Sequence, residues 1–427
     1  MQGMADRTRT ELIERIRILP VIDVHTHFET YTETFGYTMP QFFYYSSYLV
    51  CYSNWFPLED RLLIEDRSAD PVIQYKVLLK LIRRCRHTTT ARFLDRMAEL
   101  IGIPLEEESY ERLMEWYGSR TIESIRAWTP TITQFIANSP GHPLYGGLKQ
   151  MGSFLDGTRR ADPEVLRSMT VNELHCIRDK HDLDILEQLS GISITSLGDW
   201  ENASEKVLTR AMGMEQLAAF KDLYLYFRPM QIGKASREKA EQAFEAVQRG
   251  GKSTLELMDY MMFRVYGMLE EKGLPLQIHT GGLMDTAVTA QGLLDLAELI
   301  QSFPKLRFDL LHLNYPMLDF YETVLKSCEN AYGDATWIFS SDPGYVMRYL
   351  DFALDVLPAD RTILFGSDRH CAGVPVAAAL DIAEAITADF LAERIVRGQL
   401  SWREAEEIAG LWLYGNPQEL FGRRRNQ

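Results

Sequence analysis

The stretch Val21-Ile22-Asp23-Val24-His25-Thr26-His27 decides how this chain is read. It is a short apolar run that ends in His-x-His near the N-terminus. Side chains alternate along a strand, so Asp23, His25 and His27 share one face while Ile22, Val24 and Thr26 share the other. Two imidazoles therefore converge where a strand ends. Imidazole is the commonest metal ligand among side chains that stay neutral near physiological pH. Taken alone, His-Thr-His fits two satisfied polar residues at a strand end as well as it fits a metal site.

Three later segments turn the balance. Leu274-Pro275-Leu276-Gln277-Ile278-His279-Thr280-Gly281 is a short apolar run closed by His and Gly. The run 306–311 ends at His312 and leads into Asn314-Tyr315-Pro316, and Thr362-Ile363-Leu364-Phe365 leads into Gly366-Ser367-Asp368-Arg369-His370. Each places an ionisable residue at the C-terminal end of a predicted parallel strand. In a (β/α)8 TIM barrel every strand delivers its last residues to one rim, where active sites are built. The predicted fold is thus α/β, a (β/α)8 barrel.

The order and wording of these segments resemble the amidohydrolase superfamily of metal-dependent barrel enzymes, and within it the amidohydrolase-related branch. That resemblance implies metal ligation by His25, His27, His279 and Asp368, with His312 beside the ion polarising a substrate carbonyl. It also implies that Asp368 accepts a proton from the attacking water and delivers it to the leaving group. Three histidines and a carboxylate suit Zn²⁺ first, with Mn²⁺, Fe²⁺ or Co²⁺ as alternatives, and such an ion makes bound water acidic enough to attack near neutral pH. Lys221 is the candidate for a carboxylated lysine bridging two ions, or else the partner of an internal carboxylate. Arg228, Arg369 and His370 are candidates for holding a substrate carboxylate, and surface ion pairing is the alternative for each of the three. Tyr44, Tyr45, Tyr48 and Trp55 either line the pocket or pack helices. His87, His142, His175 and His181 fall outside the pattern and are read as structural or exposed.

Composition narrows the setting. The chain has 427 residues, against about 250 for a bare barrel, so large insertions must absorb the difference. Its net charge of −15, with no long basic stretch, argues against nucleic acid and anionic membranes as partners. Five scattered cysteines without Cys-x-x-Cys spacing argue for a reducing, cytoplasmic setting. Residues 1–19 carry charges throughout and show no apolar core of a signal peptide. The partner expected is a small-molecule substrate, and self-association is left open.

Helical stripes recur between 31 and 190, which predicts a mainly helical insertion or lid after the first strand, with the second strand hidden near its end. Its layout is similar to that of uronate isomerases in the same superfamily. Strands 3, 4 and 7 are expected at 191–198, 220–227 and 336–340, with helices between them, all within one domain covering 1–427. Three enzymatic readings share this ligand set. The first is hydrolysis of an amide, lactam, lactone or ester by activated water; the others are non-oxidative decarboxylation and uronate isomerisation. A non-catalytic binding barrel is the fourth, and fold alone does not choose among them.

Overall fold

The computed structural model describes residues 2–139, 147–282 and 289–422. Most of the expected loop from Ser139 to Pro143, with His142, lies outside the described residues. Eight strands form one sheet in the order of the sequence. They are β1 (Val21–Thr26), β2 (Ile132–Ala137), β3 (Val165–Thr170), β4 (Leu217–Asp222), β5 (Leu276–His279), β6 (Phe308–Leu311), β7 (Ala331–Asp334) and β8 (Thr362–Ile363). From β3 onward each strand pairs in parallel with the next. Every residue of β1, β4, β5, β6, β7 and β8 is buried, as a parallel sheet covered on both faces requires. The fold is the expected (β/α)8 type.

The chain divides into two compact units. The first comprises Met1–Phe135, Thr336–Leu350 and Leu364–Tyr414. It holds β1 and the helices that follow it. Pro71–Arg84 starts with proline in its first turn behind Asp70, whose side chain accepts from the Val72 N–H. Thr89–Ile101 starts at Thr88, which accepts from the Ala91 N–H, and stops at Gly102 in the left-handed conformation, φ 75°. Near the end of the chain, Val374–Val396 is apolar on nearly every side. A helix of that kind must be covered all round, and Gln2–Ile16, Thr89–Ile101 and Trp402–Gly410 pack against it.

The second unit comprises Ile136–Ala335, Asp351–Ile363 and Gly415–Gln427. Both β2 and β3 fall inside the stretch read as insertion, and the helical elaboration proper ends with Ile122–Arg126. The strand expected at 191–198 is absent: Gly191 caps a helix at φ 67°, and Ser196 caps the next one, Leu197–Met212. Alternating Ile and Ser there marks a helix-to-helix connection in which Ile194 is buried while Ser193 and Ser196 are exposed. The run 220–227 is strand only to Asp222, after which Tyr224–Tyr226 forms a turn of 3-10 helix. The seventh strand is Ala331–Asp334 and precedes the β-branched and aromatic run 336–340 that was expected to form it. For β4 and β7 the aromatic or β-branched run was taken for the strand, while a wholly buried ladder containing alanine or glycine made it.

A buried ion pair braces the ends of β3 and β4. His175, just past β3, places Nε2 2.8 Å from Asp222 Oδ2, and both are fully buried. Tyr266 Oη donates to the same oxygen at 2.7 Å, and Asp222 Oδ1 accepts from the Tyr224 N–H at 2.8 Å. Burial alone lowers the His175 pKa, but the Asp222 carboxylate overrides it and the imidazole is pushed up to about 10. The structural role expected for His175 is thus what its surroundings provide. Because the folded pKa exceeds the unfolded value, the pair contributes fully below the unfolded pKa, about 6.5, and the contribution is lost as pH rises toward 10. Urea midpoints of the wild type should therefore fall between pH 6.5 and 10 more steeply than those of His175→Gln. Asp222→Ala should cost about 3–5 kcal/mol at pH 6.5, because it strands a buried imidazolium.

Candidate metal centre

The first unit brings three expected ligands together. The segment after β8 runs beside β1 through a short series of hydrogen bonds. Val24 N–H donates to Phe365 O at 3.2 Å, Asp368 N–H to His25 O at 2.7 Å, and His27 N–H to Arg369 O at 2.9 Å. The Asp23 side chain extends the series, accepting from the Ser367 N–H at 2.9 Å. These bonds hold Asp368 at φ 57°, a left-handed conformation that aspartate tolerates better than most residues. Its carboxylate is thereby aimed between the two imidazoles. Asp368 Oδ1 lies 2.8 Å from His27 Nε2 and 3.3 Å from His25 Nε2.

One donor atom from each of His25, His27 and Asp368 lies within 4.8 Å of the other two. Two imidazole nitrogens and a carboxylate oxygen form a mixed donor set that fits a borderline divalent ion. Burial would raise the Asp368 pKa, yet hydrogen bonds from His25 and His27 hold it well below the usual carboxylate range. The group is thus ionised at neutral pH. Asp23 behaves oppositely, because burial pushes it up to about 7 against the hydrogen bonds from Ser367 and His25.

From the inserted segment, Tyr48, in the turn after the helix Met39–Ser46, reaches this cluster. Tyr48 donates its hydroxyl to the Asp368 carbonyl, and its ring lies 5.9 Å from the His370 ring. His370 in turn stacks on His27, with ring centroids 4.9 Å apart and planes 14° apart. Burial and the neighbouring His27 push the His370 pKa down to about 3, so this imidazole is neutral. The other aromatics of the insertion lie elsewhere: the Tyr44 hydroxyl bonds Glu65 at 3.2 Å, Tyr45 packs on Tyr37, and Trp55 is 71% exposed.

The second unit carries the other two histidines. His279 ends β5 and His312 directly follows β6, with ring centroids 4.4 Å apart. Three consecutive left-handed residues, His312, Leu313 and Asn314, turn the chain there. Thr280 Oγ1 pins the turn by donating to Leu311 O at 2.6 Å and accepting from the Asn314 N–H at 3.0 Å. A β-carbon at Gly281 would lie 2.9 Å from His312 Cβ, so glycine lets the two histidines approach.

The remaining candidates are held by protein groups. Lys221 is wholly buried one residue before the end of β4, and its charge acts on Asp309 of β6. Burial pushes Asp309 up to about 6 against hydrogen bonds from Gln277 and Asp334 and the charge of Lys221. This is the internal-carboxylate alternative for Lys221. Arg228 pairs with Asp259 at 2.6 Å and also donates to Gln231 O, stapling its loop to the helix Leu255–Lys272. Arg369, only 1% exposed, donates to Ser46 O at 2.9 Å and Ser340 Oγ at 2.7 Å, with Phe93 over its guanidinium at 4.1 Å.

Trp337 escaped the sequence reading, which had placed it inside a strand. Its ring lies 5.5 Å from the Tyr48 ring. Beside it, a β-carbon at Gly366 would overlap Thr336 Oγ1, a proximity that local sequence does not report.

A family model described as amidohydrolase matches residues 245–423, less than half of the chain. No curated protein sequence matches it. Among solved structures, a uronate isomerase from Thermotoga maritima is similar at 14% identity, covering 97% of both chains with a TM-score of 0.73. A glucuronate isomerase from Caulobacter crescentus is similar at 15% identity, covering 99% of this chain and 95% of that one, with a TM-score of 0.75. A candidate metal-dependent hydrolase from Lactobacillus casei is similar at 15% identity over 96% of this chain and 97% of that one, with a TM-score of 0.60. At such identities the structural likeness shows the fold, and the family model agrees with the resemblance read from the histidine and aspartate motifs.

The packing at Gly366 can be checked directly. Gly366→Ala should cost about 1–3 kcal/mol through overpacking against Thr336. Gly36→Ala, where nothing lies within 4 Å of the added carbon, should be near neutral in the same urea titration.

Proposed function

We propose that this chain, whose residues 245–423 carry the amidohydrolase family pattern, is a divalent-metal-dependent hydrolase of a small, carboxylate-bearing substrate. The carrying observation is the convergence of His25, His27 and Asp368 at the end of β1. A divalent ion bound there, Zn²⁺ first among the choices, supplies Lewis acidity and an activated water. The chain's own part is to hold, orient and move protons. Asp368, kept ionised by its two imidazole neighbours, takes a proton from the attacking group at a carboxylate oxygen and returns it to the leaving nitrogen or oxygen. Tyr48 and the main chain of His25 fix the Asp368 backbone so that this carboxylate does not swing away. From the family pattern, His279 is proposed as a further ligand and His312 as the group that polarises the substrate carbonyl. The scattered, free cysteines suit a reducing cytoplasm as its setting.

A second reading, isomerisation of a sugar acid, is favoured by one observation. The fold likeness to the uronate and glucuronate isomerases extends over 97–99% of this chain, helical insertion included. The same Asp368 would then move a proton between adjacent substrate carbons. The two readings separate when metal-loaded protein is given D-glucuronate and, separately, a series of lactones and N-acyl amino acids. Carbon NMR reports ketose formation, pH-indicator absorbance reports acid release from the lactones, and a primary-amine reagent reports the amino acid freed from the N-acyl substrates.

Two outcomes test the site itself. His25→Ala should lose most of the bound metal by elemental analysis, and full metal content in that variant refutes the ligand assignment. Asp368→Asn should keep the fold by circular dichroism while turnover falls at least about a hundredfold, in keeping with loss of a general base. An active Asn variant removes the proton-transfer role.

A further inference from the structure

The second unit holds a cavity of about 600 Å³. Every described residue that lines it belongs to that unit. Its wall includes the lead into β5 at Leu274 and Pro275 and the lead into β6 at Lys305 and Arg307, whereas His279 and His312 stand where those two strands finish. The cavity thus lies at the other end of the strands from the histidines. Small-molecule sites have volumes of this order. Barrel chemistry is done at the C-terminal ends of the strands, so this cavity takes no part in the proposed hydrolysis.

Its lining combines apolar surface with charge. Met212, which ends the helix Leu197–Met212, is 37% exposed and joins Leu274 and Phe421 in the apolar part. A thioether chain of this kind adapts to the shape of a partner. Three cations, Lys272, Lys305 and Arg307, line the cavity with two acids, Glu215 and Glu270. Lys272 is held by Glu205 at 2.6 Å, and Glu270 accepts the Lys305 N–H at 2.8 Å. Arg307 donates to the Glu419 carbonyl at 3.1 Å, a bond that positions the guanidinium without neutralising it. The Lys305 side chain is exposed. Gly422 also lines the cavity, and the sequence continues from it as Arg423-Arg424-Arg425. In a chain of net charge −15, such a local excess of positive charge draws anions against the field of the whole molecule.

We propose that this cavity is a binding site for an organic phosphate, a phosphate monoester carried on an apolar body. Lys305 takes the phosphate as a mobile point charge and the Arg307 guanidinium adds a fixed one. The apolar body covers Met212 and Leu274, removing their surface from water. A dianion suits the site better than a carboxylate, because it interacts strongly with more than one cation at once. The site is independent of the hydrolase reading and stands whichever reaction the metal centre performs.

The experiment is calorimetric titration of the full-length protein with phenyl phosphate and with inorganic phosphate, each at low and at moderate salt. Phenyl phosphate should bind at one equivalent per chain and about threefold or more tighter than inorganic phosphate, because its ring covers apolar surface. Both should weaken as salt rises. Lys305→Glu should weaken phenyl phosphate roughly three- to tenfold. Lys76→Glu, the same charge change at an exposed lysine outside the lining, should leave it unchanged. Met212→Ser should remove the advantage of phenyl phosphate and spare inorganic phosphate. His25→Ala should bind both probes as the wild type does, which separates this cavity from the metal centre.

Loss of phenyl phosphate binding in His25→Ala places the anion at the metal centre and overturns the proposal. Equal weakening by Lys305→Glu and Lys76→Glu also overturns it, since the effect is then one of net charge. So does a wild type that binds neither probe at millimolar concentration. Circular dichroism on the same samples shows that each variant is folded, and Lys305 and Met212 are exposed side chains whose replacement leaves the core intact.

Discussion

The short run of main-chain hydrogen bonds between β1 and the segment 365–369 is the constraint on which the site depends. Asp368 lies far along the sequence from His25 and His27, and only a fixed register can bring one carboxylate between both imidazoles. The Asp368 N–H to His25 O bond of 2.7 Å and the His27 N–H to Arg369 O bond of 2.9 Å set that register from either side. The side chain of Asp23 fills the remaining donor by accepting from Ser367. A slip of one residue would turn each ligand to the opposite face of the strand. The geometry of the donors is therefore a property of backbone pairing first and of side-chain attraction second.

That explains what was legible in the sequence and what was not. The strand ends that carry the histidines were readable because a buried parallel strand needs a continuous apolar run, and a polar residue at its end stands out. Thus β1, β5, β6 and the Asp368 segment were found within a few residues. The strands at Ile132–Ala137 and Val165–Thr170 were hidden because polar residues interrupt them, and Ala331–Asp334 because alanine and glycine carry little strand signal. The surroundings of the arginines were less legible still. Whether Arg228 meets substrate or Asp259 depends on a helix thirty residues further on, a relation that no local pattern reports.

The two units solve a similar problem differently. In the second, His175, Asp222 and Tyr266 form a closed group in which donors and acceptors satisfy one another. Buried polar groups arranged this way stiffen the strand ends that carry them. In the first, the cluster of His25, His27 and Asp368 concentrates ligating atoms of one kind, all electron-pair donors, and the left-handed residues around it accept local strain of about 1–3 kcal/mol apiece. Such strain persists only where the surroundings over-determine the backbone, and Gly366 and Thr336 supply part of that determination.

The turn at Trp337, with φ 67° and ψ −38°, has an evolutionary consequence. The bond within it, from the Ile338 N–H to Thr336 O, and the bond that anchors it, from the Trp337 N–H to Gly366 O, involve main-chain atoms alone. The loop thus presents whatever side chain stands at 337 to the same place, whereas Gly366 and the ligands tolerate little change. Residue 337 is therefore a position where the side chain can change within a lineage while the path of the loop beside Gly366 stays fixed.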